Sequence, residues 1–255
     1  MKWVRFRHDG ADVFGCIDGS EVVLHTGSLF DQPRASSTRV SLACITDWLT
    51  PCAPRTMVGL WNNFAALAAK NGWARPAEPL YFLKAPGSFA AHRQAIRQPV
   101  PDVGRIAYEG ELAVVIGRTA RAVSVPSAPA HIFAYTCAND VTALEVFDRD
   151  PAFVHWTRAK GFDTFGVFGP VIETDFDFRA ATLRTRVAGR ERQNYALADM
   201  LFSPAELVSR ISHDITLEPG DVILCGTSLG VLPMKPGTLV EVEIDGIGVL
   251  ANVYG

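Results

Sequence analysis

Two glutamates separated by one residue stand immediately before a strongly apolar run. Residues 108–117 read Tyr-Glu-Gly-Glu-Leu-Ala-Val-Val-Ile-Gly, and every residue from 112 to 116 is apolar. Such a run predicts a strand that is covered on both faces. Because alternate residues of a strand point to the same side, the side chains of Glu109 and Glu111 should project together. Two parallel carboxylates beside a buried surface require a cation to neutralise them.

The chain contains a second Glu-x-Glu pair, Glu241 and Glu243, whose surroundings predict no metal. Residues 240–245 alternate strictly between apolar and acidic side chains. This alternation is typical of a strand with one buried face and one solvated face. Water can therefore solvate both of these carboxylates.

A third carboxylate lies at the end of another apolar segment. Residues 132–140 predict a buried strand that ends in Asn139 and Asp140. If Asp140 meets Glu109 and Glu111, the mutual repulsion of the three groups requires a hard divalent cation. Mg²⁺ suits such a group because it keeps several water ligands, which a chelating substrate can replace. The alternative is that Asp140 caps a helix beginning at Val141, and spacing alone leaves both interpretations open.

Lys160 and residues 226–230 carry further chemical signals. A lysine close to a metal predicts a group that stabilises an enolate, binds a carboxylate or transfers a proton, and the alternative is a surface ion pair with Asp163. Residues 226–230 match the Gly-x-Ser-x-Gly elbow of serine hydrolases. That elbow requires a following helix and a later histidine, but two prolines follow closely and no histidine occurs after His213. A serine nucleophile is therefore excluded, and the glycines predict a tight turn or a close approach of backbone to ligand.

Lys84 and His92 are less informative by themselves. Lys84 ends the apolar run 80–84, and a lysine at a strand end is usually solvated. His92 belongs to no metal-ligand spacing, so it predicts a structural or exposed side chain.

The composition excludes several classes of protein. A length of 255 residues, 48% hydrophobic residues and a net charge of -3 predict a soluble globular protein. The scattered Lys and Arg argue against nucleic acid as a partner. No apolar run approaches the roughly 20 residues of a membrane span, so no membrane partner is expected and a cytoplasmic location is predicted. Five cysteines without a Cys-x-x-Cys pair indicate neither a disulfide framework nor a zinc ribbon.

The elements that must position these residues are mostly strands. Residues 1–55 predict a small β-rich domain, because Asp-Gly pairs separate short apolar runs. Residues 56–79 predict a helical connector or lid, with a helix over Asn62–Asn71 that the asparagines cap. Residues 80–255 predict further strands and one helix opening at a capping box, Ser203-Pro-Ala-Glu206. No dinucleotide or Walker motif is present, so a mixed β (α+β) architecture is favoured.

Five motifs resemble those of the fumarylacetoacetate hydrolase family, in the same order along roughly residues 80–255. They are Tyr108–Gly117, Ala138-Asn-Asp-Val-Thr-Ala143, Lys160-Gly-Phe-Asp163, Gly169-Pro170 and Pro219-Gly-Asp-Val-Ile-Leu-Cys-Gly-Thr227. The resemblance implies a β-roll catalytic domain that forms a homodimer. It also implies Mg²⁺ or Mn²⁺ held by Glu109, Glu111 and Asp140.

The same resemblance implies roles for residues around the metal. Lys160 is expected to act in catalysis, and Lys84 and Thr227 are expected at the substrate. Asp163, within the lysine motif, and His92 are further candidate substrate-binding residues. The implied substrates are small 2-oxo and 2,4-dioxo acids, whose enolate the metal stabilises when a bond to C3 breaks.

Four positions depart from the family pattern. The histidine and glutamate that activate water in family hydrolases correspond to Leu67 and Lys70, and an Arg and a Gln that hold the substrate correspond to Leu144 and Phe147. The first expectation is hydrolysis of a C-C bond in an acylpyruvate-type 2,4-dioxo acid such as fumarylpyruvate. The alternatives are an isomerase or decarboxylase of a 2-oxo or 2-hydroxymuconate-type acid in aromatic catabolism, or a catalytically silent relative that binds a metabolite or a protein.

Overall fold

The computed structural model describes the whole chain, residues 1–255, and confirms a mixed α+β fold rich in strands. The strands are β1 (Lys2–His8), β2 (Ala11–Asp18), β3 (Glu21–Ser28), β4 (Asp31–Ser41), β5 (Met57–Trp61), β6 (Leu80–Lys84), β7 (Phe89–Ala90), β8 (Ile106–Ala107), β9 (Gly110–Ile116), β10 (Ile132–Asp140), β11 (Thr142–Ala143), β12 (Gly166–Glu173), β13 (Thr182–Val187), β14 (Arg190–Ala196), β15 (Val222–Leu224), β16 (Pro233–Met234), β17 (Thr238–Ile244) and β18 (Gly248–Tyr254). The helices are α1 (Ala65–Asn71), α2 (Leu144–Phe147), α3 (Trp156–Lys160) and α4 (Pro204–Asp214). None of them has the length and apolar character that a membrane crossing demands.

One large sheet runs through the molecule in the order β4-β3-β2-β1-β12-β10-β9-β15-β5-β6, with β7 beside β12. The N-terminal strands form hairpins as predicted, and Asp9 and Gly10 take the positive φ values of a two-residue turn, 49° and 77°. Strand β1 pairs with β12, so the predicted β-rich unit 1–55 shares this sheet with the rest of the chain. A four-stranded sheet, β14-β13-β17-β18, packs against the large one near β9 and β10.

The segment predicted as a helical connector, 56–79, begins with a strand. Strand β5 lies inside the large sheet between β15 and β6, because its residues are almost fully buried and apolar. Helix α1 starts at Ala65 and ends at Asn71, and Gly72 follows as its C-cap with φ 68°, a conformation that glycine adopts readily. The asparagines do not cap it. The amide of Asn63 instead donates to the carbonyls of Phe202 and Cys225, at 3.2 and 2.8 Å.

Other local predictions are confirmed. The Ser203 hydroxyl accepts from the Glu206 amide and the Glu206 carboxylate accepts from the Ser203 amide, which completes the capping box of α4. Along β17 Val240, Val242 and Ile244 are buried, whereas Glu241 and Glu243 are half-exposed and Glu243 pairs with Arg186 at 2.5 Å. These two glutamates therefore lie on a solvated face.

Strands β9 and β10 form the centre of the large sheet. Every residue of β9 is buried, because β10 and β15 flank it and core clusters cover both of its faces. The pair is antiparallel, with Gly110 opposite Asn139. The beginning of β9 therefore lies beside the end of β10, which is where the polar residues of both segments are found.

Candidate metal and substrate site

Three carboxylates converge where β9 begins and β10 ends. Glu109 precedes β9, Glu111 is its second residue, and Asp140 is the last residue of β10. One oxygen from each carboxylate lies within 4.8 Å of the others. The Asp140 amide donates to the Glu109 carbonyl at 2.9 Å, and β8 pairs with β11 just beyond these residues. The backbone thus holds the cluster from both sides, and Asp140 caps no helix because α2 begins after Ala143.

Two buried lysines neutralise part of this charge. Lys160 donates to an Asp140 oxygen at 2.6 Å and lies 2.9 Å from Glu109. Lys84, at the end of β6, donates to the other Asp140 oxygen. The side chains of Lys84 and Asp140 are 0% exposed and that of Lys160 is 3% exposed. Neither the solvated strand end proposed for Lys84 nor the surface pair of Lys160 with Asp163 is found.

The electrostatics of the cluster differ from residue to residue. Burial, together with repulsion from Asp140 and Glu109, raises the pKa of Glu111 well above its ordinary value. Burial alone would raise the pKa of Asp140, but Lys160 and Lys84 outweigh it and hold that pKa below its ordinary value. Burial lowers the pKa of Lys84, although Asp140 opposes the shift. For Lys160 the three carboxylates outweigh burial, so its pKa is raised.

The hydrogen bonding of Glu111 fits a bound divalent cation. One carboxylate oxygen accepts from the Gly226 amide at 2.7 Å, whereas the other is buried and has no hydrogen-bond partner. A buried carboxylate oxygen without a partner is costly. An oxygen-preferring ion such as Mg²⁺ or Mn²⁺ would satisfy it and reduce the repulsion among the three acids. The acidic group is therefore able to bind a divalent metal.

Thr227 belongs to a hydrogen-bond network that sequence reasoning missed. Its hydroxyl donates to the Gly110 carbonyl at 2.9 Å and accepts from the Gln193 amide at 2.8 Å. Gln193, buried in β14, also accepts from the Gly110 amide and from the Thr185 hydroxyl. The network fixes the backbone between the two glutamates. Gln193 is one of five consecutive polar residues, 190–194, and the sequence gives no signal that separates it from its neighbours.

A cavity of about 700 Å³ opens beside the cluster. Glu109, Lys160 and Thr227 line one part of it, and Leu67, Leu144 and Phe147 are also in its wall. Three of the four departures from the family pattern therefore face this space with apolar side chains. No histidine lines it.

The structure does not bring His92 and Asp163 to this cavity. His92 packs against Trp48, with ring centroids 5.2 Å apart, and accepts from the Ala251 amide at 3.1 Å. The Asp163 side chain is 74% exposed and lies 3.9 Å from Arg97. We leave both residues out of the proposed substrate site, because one is part of the packing and the other is in solvent.

Two family models match the chain. The model described as "Fumarylacetoacetate (FAA) hydrolase C-terminal" matches residues 56–254. The model described as "Rv2993c-like, N-terminal" matches residues 1–51. Together they cover the β-rich N-terminal segment and the part of the chain that carries the acidic cluster.

Similar proteins have several activities in their names. A 4-hydroxyphenylacetate degradation bifunctional isomerase/decarboxylase from Salmonella dublin is 38% identical over 203 residues, which are 78% of this chain and 47% of that protein. The crystal structure of a 5-carboxymethyl-2-hydroxymuconate delta-isomerase from Mycobacterium smegmatis superimposes with a TM-score of 0.92 at 33% identity, covering 100% and 99% of the two chains. A fumarylpyruvate hydrolase from Pseudomonas aeruginosa, solved with Mn²⁺ and pyruvate, gives a TM-score of 0.73 at 27% identity, covering 82% and 92%.

Proposed function

Because the chain belongs to the fumarylacetoacetate hydrolase family of enzymes, we propose that it converts a 2-oxo acid through its enolate with the help of Mg²⁺ or Mn²⁺. The observation that carries this proposal is the buried oxygen of Glu111 without a partner, within an acidic cluster that opens on a cavity. The proposed metal ligands are Glu109, Glu111 and Asp140.

The charge of the cluster supports an anionic, chelating substrate. The three carboxylates and the two lysines together carry one net negative charge when all are ionised. Binding of a divalent cation changes this net charge to +1, and a single carboxylate of the substrate then brings the net charge to zero. A buried site that ends neutral avoids the cost of an uncompensated charge.

Two side chains of the cavity wall, and Lys84 behind the acidic cluster, have defined tasks in this proposal. A bound Mg²⁺ or Mn²⁺ would supply a Lewis acid that stabilises negative charge on the substrate's C2 oxygen. Lys160 lies in the cavity wall, and its ammonium group can donate to a developing oxyanion or deliver a proton to C3 of the enolate. Thr227 already donates one hydrogen bond and accepts one, which leaves one lone pair to accept from the substrate. Lys84 donates to Asp140 and keeps it ionised.

The bond that breaks at C3 distinguishes two groups of candidate reactions. Hydrolysis of an acylpyruvate, our first expectation, needs a group that activates water, whereas isomerisation and tautomerisation move a proton and decarboxylation releases carbon dioxide, none of which needs a water nucleophile. Leu67 in the cavity wall, and the absence of a histidine there, favour the second group of reactions. The relative and the solved structure that are named as isomerases support the same choice.

Deuterium exchange at C3 of 2-oxobutanoate in D₂O tests enolate formation directly. We expect Mg²⁺-loaded protein to accelerate the loss of the C3 proton signal, and we expect chelation of the metal to stop it. Exchange no faster than in buffer would overturn the proposal and leave a silent binding relative. Products then separate the reactions: acetylpyruvate giving pyruvate and acetate indicates a hydrolase, and carbon dioxide from oxaloacetate indicates a decarboxylase. The homodimer also remains a proposal, which light scattering checks.

A further inference from the structure

The cavity beside the acidic cluster has an aromatic part as well as a polar one. Trp61, Trp73, Trp156, Phe82 and Phe147 line it. The rings are in mutual contact: the centroids of Trp61 and Trp73 are 4.7 Å apart, and those of Phe147 and Trp156 are also 4.7 Å apart. Phe82 stacks on Trp156 at 5.2 Å.

These rings are brought together by the tertiary fold. Trp61 ends β5, Trp73 follows α1, Phe82 lies in β6, Phe147 ends α2 and Trp156 begins α3. Five separate segments thus present their aromatic side chains to one space, and Trp73 is still 37% exposed. Exposed tryptophan surface in a concave site is typical of a place that stacks on a flat apolar ligand.

The aromatic part is continuous with the proposed catalytic part. The Lys160 ammonium lies 5.2 Å from the centroid of the Phe82 ring. A substrate whose oxyanion contacts Lys160 would therefore place its next few atoms against Phe82 and Trp156. We call this aromatic part of the cavity the aromatic wall. The substituent beyond C3 of a 2-oxo acid bound in this way would lie against it.

The charges around the aromatic part disfavour a second carboxylate. Arg105 and Lys160 are the only cationic residues that line the cavity. Arg105 is paired with Glu145, whose carboxylate also accepts from the Arg105 amide at 2.6 Å, and Lys160 is held by Asp140 and Glu109. The remaining charged residue of the wall is Asp148. An anionic tail would meet no unpaired cation and one carboxylate, whereas an apolar ring would lose nothing on desolvation.

From these observations we propose that the substrate is a 2-oxo acid with one carboxylate, whose substituent beyond C3 is an uncharged aromatic or similarly flat apolar group. Trp61, Phe147 and Trp156 are the residues that select it. This inference rests on the proposed function, because the metal end of the cavity must hold the 2-oxo carboxylate. It differs from that function in naming the tail.

Two acids of equal chain length test the tail. 2-Oxo-4-phenylbutanoate and 2-oxoglutarate share the atoms from C1 to C4 and differ in carrying a phenyl ring or a carboxylate at the end, and 2-oxobutanoate has neither. Calorimetric titration of the Mg²⁺-loaded protein gives each dissociation constant, and C3 exchange in D₂O gives each rate. We expect the phenyl compound to bind at least about tenfold more tightly than 2-oxoglutarate. Equal or tighter binding of 2-oxoglutarate would overturn the inference.

The same comparison of the two acids, repeated with protein variants, shows whether the aromatic wall causes the preference for the phenyl compound. Trp156→Ala should reduce the preference for the phenyl compound by about tenfold, and Leu144→Arg should shift it toward 2-oxoglutarate by providing a cation. Phe153→Ala is the matched control, since Phe153 is 66% exposed nearby and does not line the cavity. An unchanged preference in both Trp156→Ala and Leu144→Arg would refute the assignment.

The two proposals fail in different ways. If none of the three acids binds or exchanges, the proposed function falls and the inference falls with it. If 2-oxobutanoate exchanges but the phenyl compound gains nothing over it, only the inference is overturned.

Discussion

Replacing Glu111 by glutamine removes one negative charge from the buried cluster while the side chain keeps its size. Glu109 and Asp140 each lie within 4.8 Å of Glu111, where two unit charges repel by roughly 3.5 kcal/mol at an effective dielectric constant of about 20. Lys160 offsets part of this repulsion. The metal-free variant should therefore be at least as stable as the parent, and more stable by up to about 3 kcal/mol at alkaline pH.

The pH dependence of this difference follows from the raised pKa of Glu111. The folded protein keeps a proton on Glu111 that the unfolded chain releases above about pH 4.3. Stability of the metal-free parent therefore falls as pH rises from that value toward the raised pKa. The Glu111→Gln variant lacks this loss, so its advantage should grow with pH across the same range.

Mg²⁺ should reverse the order of stability. At a concentration 100 times its dissociation constant, a metal stabilises the parent by about 2.7 kcal/mol, which is roughly 5 to 11 °C in melting temperature for a chain of this size. If the loss of one charged ligand weakens binding about 100-fold, only about 0.4 kcal/mol remains in the variant. Differential scanning calorimetry with and without Mg²⁺ measures both effects.

The second Glu-x-Glu pair supplies the control for this experiment. Glu243 is half-exposed and paired with Arg186, so Glu243→Gln should cost at most about 1 kcal/mol and keep the full Mg²⁺ shift. The reasoning is refuted if Glu111→Gln shows the same Mg²⁺ shift as the parent. A strongly destabilised metal-free Glu111→Gln protein would equally contradict the electrostatic account.

Three further changes test other parts of the site. Lys160→Met should slow C3 exchange by at least about 100-fold while circular dichroism stays unchanged, and normal exchange would remove Lys160 from the chemistry. Leu67→His combined with Lys70→Glu should raise the rate of acetylpyruvate hydrolysis at least about tenfold. No gain would show that a histidine and a glutamate at these positions do not activate water. Burial lowers the pKa of His92 to about 4, so the parent should lose stability as pH falls from about 6.5 to about 4. In urea titrations His92→Gln should lose less over that range, and equal losses would contradict the assignment.

Strong local patterns made parts of the fold predictable. The apolar run of β9, the buried segment of β10 and the capping box of α4 all formed as expected, because each pattern has one low-energy local solution. The meeting of Glu109, Glu111 and Asp140 was predicted through the family resemblance. Spacing alone also allowed Asp140 to cap a helix, because sequence does not fix contacts between strands that lie far apart in the chain.

Residues that act through distant contacts were not predictable. Asn63 reads as a helix cap, but its amide bridges two carbonyls more than 130 residues away, and that bridge outweighs capping energy. Gln193 lies in a polar strand that showed no clear pattern, yet it holds the Gly110 backbone beside the metal ligands. The aromatic wall comes from five segments, so no single stretch of sequence reveals it.

Anomalous diffraction from a crystal soaked with Mn²⁺ and oxalate tests the central claim most directly. Oxalate is a stable mimic of the chelating end of a 2-oxo acid, and Mn²⁺ gives an element-specific signal. We expect one strong peak bounded by the carboxylates of Glu109, Glu111 and Asp140, with oxalate on the side that faces Lys160 and the cavity. No peak there, or a metal bound elsewhere with oxalate, would contradict the claim.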